Sequence, residues 1–165
     1  MGLFDKLKRK KEQVPAQILA TQTGQAVTLD KVPDEVFSQK ILGDGVCVIP
    51  SGNKVFSPAS GVVSQVFDTL HAYAITTDDD LDILVHIGVN TVELGGEGFL
   101  AHVKEGQAIQ AGDLLAETDL AFLQEKGYPT HTMTIVTNSD VLERIMVKEG
   151  PVTGGESITA EYEKK

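Results

Sequence analysis

The chain reads as an all-β protein: an antiparallel β-sandwich, or barrel-sandwich hybrid, with one or two short helices. Three observations predict this. Short apolar runs recur along most of the 165 residues, punctuated by Gly, Pro, Asn and Asp. The run Leu81–Ile87 alternates apolar Leu81, Ile83, Val85 and Ile87 with Asp82, Leu84 and His86, the period of a strand with one face on a core. The segments VFSPASGVVSQVF and AHVKEGQAIQAGDLLAETD also look like the two halves of a biotinyl/lipoyl-type barrel, which bears on fold and not on function.

In chain order, strands are expected at Pro15–Ala20, Gln25–Leu29, Val46–Ile49, Lys54–Phe56, Gly61–Phe67, Leu70–Thr76, Leu81–Ile87, Leu100–His102, Ala108–Ile109, Leu114–Glu117, Thr132–Thr137 and Ser157–Glu161. Turns fall at Gly43-Asp44-Gly45, Ser51-Gly52-Asn53, Gly95-Gly96 and Ala111-Gly112-Asp113. One helix is expected near Ala121–Glu125, with Asp119 as N-cap and Gly127 as stop, and a second helical turn at Val141–Met146.

Residues 1–13 stand apart as an amphipathic or disordered segment, ahead of a single domain at 14–165. Net charge is −10, yet residues 1–12 carry +3, with Lys6, Lys8, Arg9, Lys10 and Lys11 against Asp5 and Glu12, which leaves −13 for the rest. An acidic body argues against nucleic-acid binding. Wound as a helix, Leu3, Phe4 and Leu7 share one side, suiting weak contact with anionic lipid. The start lacks the apolar core of a secretory signal, no run is long enough to span a bilayer, and the single Cys47 lies in the apolar strand GVCVIP. A cytoplasmic protein, peripheral to the inner membrane at most, is expected.

The chemistry lies in two histidines. A two-residue turn between Asp78 and Asp79 pairs Ile75 with Asp82, Tyr73 with Leu84, and His71 with His86. Opposed residues share a face with Cβ atoms about 4.5–5.5 Å apart, so this register sets two imidazoles side by side outside the core. It puts Ala72 and Ala74 opposite Val85 and Ile83 on the core face. A neutral imidazole is a good nucleophile at pH 7, and a second beside it can donate to phosphoryl oxygens. Thr69 lies two residues from His71 and can orient its ring. No GxxxxGK[ST] loop occurs, so ATP is not the expected donor.

The blocks MGLFDKLK, PDEVFSQKILGDGVCVIPSGNKV, TLHAYAI and VHIGVNTVELGGEGF resemble the glucose-type enzyme IIA family of the bacterial sugar phosphotransferase system, over nearly the whole chain. The resemblance implies an antiparallel β-sandwich that carries phosphate on His86, with His71 as its partner and Thr69 bonded within the site. It implies the histidine-containing phosphocarrier protein as donor and the IIB domain of a glucose-type permease as acceptor. Regulatory targets such as sugar permeases, glycerol kinase and adenylate cyclase also follow from it. A docking patch of Val36, Phe37, Leu42, Phe67, Leu84 and Val92 is implied, and Leu84 is placed there by strand parity as well. No cofactor is required, while His71 and His86 with a partner's carboxylate could share a regulatory zinc. Two positions depart from the family pattern: Asn90, where relatives often carry Asp, and Asp80, where Gly is usual.

Two rivals fit less well. A zinc-binding sandwich hydrolase would use an HxH ligand pair, and His102 and His131 stand isolated in HVK and THT. A biotinyl/lipoyl carrier needs a lysine at a hairpin tip in a string such as MKM or DKA, and neither occurs.

Overall fold

The computed structural model describes residues 16–165, so the basic segment 1–13 and its boundary lie outside the described residues. Fourteen strands appear in this range: β1 (Ala16–Leu19), β2 (Gly24–Val27), β3 (Asp44–Pro50), β4 (Lys54–Phe56), β5 (Gly61–Val66), β6 (Ala72–Thr77), β7 (Asp82–Ile87), β8 (Phe99–Ala101), β9 (Ala108–Ile109), β10 (Leu114–Thr118), β11 (Thr132–Val136), β12 (Leu142–Val147), β13 (Gly150–Val152) and β14 (Ile158–Lys164). Two short helices, α1 (Glu35–Ser38) and α2 (Leu120–Glu125), complete it together with three 3-10 turns. All pairings are antiparallel. An eight-stranded sheet runs β13-β2-β3-β11-β7-β6-β5-β9, and two three-stranded sheets run β1-β14-β12 and β4-β10-β8. The all-β expectation therefore holds.

The main core lies where these sheets meet. The large sheet contributes Val63, Tyr73, Ile75, Ile83, Val85 and Ile87, and the small sheets contribute Ile18, Val55, Leu115 and Tyr162. Each large apolar side chain taken out of water stabilises the fold by about 1.5–3 kcal/mol. The other face of β3 and β11 is also covered, because Cys47, Met133 and Ile135 pack beneath Leu29, Val32 and Phe37 from the segment that follows β2. Cys47 is a buried apolar filler whose thiol burial pushes up to about 12. The two segments that look like half-barrels pair with each other, β4 with β10 and β5 with β9.

Most expected strands form within a residue or two of their predicted bounds, and α2 starts on the Asp119 cap, whose carboxylate accepts from the Phe122 N–H. Of Val141–Met146, only Val141 is helical. A 3-10 turn at Ser139–Val141 leads directly into β12, where pairing with β14 overrides local preference, with the Arg144–Glu163 and Lys148–Glu161 ion pairs alongside. Strand β13 is unforeseen because it contains Pro151. It pairs only with β2 at a sheet edge, where a missing N–H is tolerated. Helix α1 is also unforeseen, although Asp34 caps it by accepting from the Val36 N–H at 2.9 Å.

The β6–β7 register differs from expectation by one residue. The loop has three residues, not two: Asp80 N–H bonds Thr77 O at 3.0 Å in a turn, and Asp80 itself is left-handed at φ +67°. A turn closed by one left-handed residue is a common three-residue hairpin, and Gly adopts that conformation more readily than Asp. The pairs are consequently Thr76 with Asp82, Ile75 with Ile83, Tyr73 with Val85 and Ala72 with His86. Bulky faces bulky on the core side, and His71 is not directly opposite His86.

Candidate functional site

His86 stands at the end of β7, flanked by Ala72 on β6 and Met133 on β11. Val85 and Ile87 on either side are fully buried in the main core, so alternation sends the His86 ring to the opposite face, where it is half-buried. There it tilts against Phe37 with ring centroids 4.9 Å apart. Its Nδ1 lies 2.9 Å from the carbonyl oxygen of Gly88. A carbonyl only accepts, so Nδ1 donates its proton there and the lone pair of a neutral ring resides on Nε2.

Gly88 is needed for this clamp. Its φ is +78°, and a Cβ at this position would lie 2.4 Å from Thr91 Cγ2. The chain is held on both sides, with Gly88 N–H donating to His131 O at 2.8 Å and Val89 N–H to Pro129 O at 3.1 Å. His131, isolated in sequence, thus supports the site through its backbone. Asn90 follows at φ +62° and leads into the 3-10 turn Thr91–Leu94; Asn is among the few residues that adopt this region readily.

His71 precedes β6 and is 4% exposed. Its ring meets that of His86 edge-on at 4.8 Å, and Phe67 meets it in turn at 5.7 Å. Its Nδ1 lies 2.7 Å from Thr69 Oγ1. The two imidazoles are therefore adjacent, but not by cross-strand pairing. The pleat ends at Ala72, and the preceding Leu70 is left-handed at φ +59°.

Electrostatics keep the pair neutral. Burial, and then repulsion from His71 whenever that ring is protonated, push the His86 pKa down to about 4, partly offset by the Gly88 carbonyl and by Asp34. Burial lowers His71 as well. At neutral pH both rings are uncharged, and a half-buried neutral imidazole with a free Nε2 is suited to nucleophilic attack on phosphorus. Asp34, the cap of α1, exerts the smallest of these influences on His86, and the sequence reading passes over it, though the PDE string ahead of Val36 and Phe37 carries the signal of a capped turn.

Of the residues expected to form a docking patch, Val36 is 41% exposed, Leu42 39% and Val92 51%, while Phe67 and Leu84 are half-buried. Phe37 is buried, forming the floor under His86 rather than open surface. Ile41, 66% exposed, donates its N–H to Val36 O and so lies beside Val36, a neighbour that the sequence reading does not name. His102 lies away from this group, paired with Glu117 at 2.7 Å. Among the described residues no cluster of three His, Cys, Asp or Glu side chains is placed to hold a metal ion, and no helix is long and apolar enough to cross a membrane.

Residues 16–142 match the family model described as phosphoenolpyruvate-dependent sugar phosphotransferase system, EIIA 1. The chain is 43% identical to the PTS system glucose-specific EIIA component of Haemophilus influenzae, over 99% of this chain and 100% of that protein. It is 40% identical to the PTS system glucose-specific EIICBA component of Streptococcus pneumoniae, over 89% of this chain and 20% of that longer protein. Its fold superposes on glucose permease IIA from Mycoplasma capricolum with a TM-score of 0.84 and 36% identity, over 91% of this chain and 97% of the other.

Proposed function

The chain belongs to the EIIA family of the phosphoenolpyruvate-dependent sugar phosphotransferase system, and within it we propose that the protein is a phosphohistidine carrier with His86 as its nucleophile. The observation that carries this is the Nδ1–Gly88 hydrogen bond, which leaves Nε2 of a neutral ring unprotonated at the protein surface.

The donor is the phosphohistidine of the histidine-containing phosphocarrier protein. Nε2 of His86 attacks phosphorus, the donor's P–N bond breaks, and its electron pair returns to the donor imidazole. The His86 ring keeps its Nδ1 proton on the Gly88 carbonyl throughout. His71 stabilises the transferring group. With the Thr69 hydroxyl donating to His71 Nδ1, His71 Nε2 carries the proton and can bond a phosphoryl oxygen. The acceptor is the cysteine of a glucose-type permease's IIB domain, a reading supported by the relatives' glucose-specific names and the EIICBA relative.

The exposed Val36, Leu42 and Val92 with Leu84 and Phe67 serve as the docking surface for these proteins. Phosphate on His86 adds about −1.5 to −2 charges to this apolar face, so regulatory targets that dock by apolar contact bind the unmodified form. The transfer chemistry needs no cofactor. A zinc ion shared with a partner would take His71 and His86 plus the partner's carboxylate. The protein works in the cytoplasm, with residues 1–12 able to touch anionic membrane.

The test is incubation with phosphoenolpyruvate, enzyme I and the phosphocarrier protein, followed by mass-spectrometric mapping under alkaline conditions. Phosphate is expected on His86, and His86→Ala should abolish labelling. Label at His102 or His131, or labelling that survives the substitution, overturns the assignment.

A further inference from the structure

We propose that Leu70 is a positioning residue for phosphoryl transfer: its left-handed backbone, held in place by its apolar side chain, is what brings His71 to His86. This rests on the role given to His71 above. Ala72 is paired with His86, and His71 O still accepts from Ile87 N–H at 2.7 Å, so the ladder continues in the backbone as far as His71. Strand alternation from that pair would send the His71 side chain to the core face, with Tyr73 and Ile75. The ring instead stands 4.8 Å from His86, on the opposite face.

The break occurs at Leu70, at φ +59°, where Leu70 N–H closes a turn onto Phe67 O at 2.8 Å. That turn also brings the Thr69 hydroxyl back onto His71 Nδ1 and the Phe67 ring against the His71 ring. Leucine does not choose this region on its own, since its Cβ crowds the following carbonyl. The conformation persists because surrounding structure over-determines it: the Leu70 side chain is half-buried and packs on the main core.

Two substitutions remove the same packing but differ in backbone tolerance. Leu70→Gly adopts the left-handed region freely, whereas Leu70→Ala does not. Imidazole 15N shifts of His71 and nuclear Overhauser contacts between the two rings report its placement without reference to activity. Rapid-quench rates of acceptance from the phosphocarrier and donation to a IIB domain report its use. In Leu70→Gly the His71 signals and the donation rate should stay within about threefold of the parent. In Leu70→Ala the ring contacts should weaken and donation should slow about tenfold, the factor set by the left-handed penalty, with acceptance much less affected. His71 signals unchanged in Leu70→Ala, or displaced equally in both variants, overturn the positioning role. Displaced His71 signals with undiminished donation would leave Leu70 as the positioning residue and instead remove the transfer role assigned to His71.

Discussion

At the tip of the β6–β7 hairpin Asp80 sits at φ +67°, and at the open end Leu70 sits at φ +59°, yet the two ends are finished in opposite ways. At the tip Asp79 and the backbone around it are held by hydrogen bonds from distant residues. Asp79 accepts from the Thr77 and Tyr162 hydroxyls, each at 2.6 Å, and its carbonyl accepts from Lys164. Asn138 donates to Asp80 O at 3.1 Å and accepts from Asp82 N–H at 2.8 Å. The Thr77 and Tyr162 bonds outweigh burial and hold the Asp79 carboxyl below its usual range. At the open end each imidazole has its Nδ1 fixed, by Thr69 or by Gly88, and among the described residues neither Nε2 is bonded. The bonds to Asp79 and Asp80 O make that side of the tip an anchor, whereas the pair at the other end keeps both Nε2 atoms open.

The largest expected effect tests the reactive end. His71→Gln should still accept phosphate but donate to a IIB domain about a hundredfold more slowly, the scale of removing one aligned donor from a transition state. Rapid-quench measurement of each half-reaction checks it, and equal losses in both would break the division of labour between the two histidines.

Next comes pH. The folded His86 pKa of about 4 lies below the ordinary 6.5, so the folded state binds fewer protons than the unfolded state. The contribution is fully present above pH 6.5 and is lost as pH falls from 6.5 to 4, by about 3 kcal/mol. Urea unfolding across this range should show that loss in the parent and a shallower slope in His86→Gln. Parallel slopes would mean that the ring is not held neutral by burial.

The anchor gives smaller effects. Tyr162→Phe removes a hydrogen bond to a charged carboxylate and should cost about 1.5 kcal/mol in urea unfolding, while phosphate acceptance stays unchanged. A drop in acceptance would show that the two ends are coupled through the strands. Smallest of all, Asp80→Gly should stabilise by about 0.5 kcal/mol, because Asp tolerates the left-handed region only moderately well and Gly adopts it freely. A loss larger than that would indicate that the Asp80 side chain supports the tip in a way its backbone contacts do not reveal.

Much of this molecule is legible in its residues, because the signals are local. The alternation Leu81, Ile83, Val85, Ile87 determines which face of β7 is core and leaves His86 on the other, since side chains on a strand alternate whatever the neighbouring strand does. The Asp119 cap and the Gly-rich turns are likewise read within a few residues of chain. What tertiary structure alone decided is how those pieces meet. The hairpin register depends on whether the Asp78–Asp80 loop spends two residues or three, and that rests on one φ angle at Asp80 that composition does not reveal. Residues 142–147 became a strand because β14 lay alongside to pair with them. Phe37 became the floor of the site because the capped turn after β2 folds over β3 and β11. His71 reached His86 through a strained leucine, against the parity of its own strand. In each case the deciding energy comes from contacts distant in sequence, and it exceeds the kilocalorie or so by which local preference pointed elsewhere.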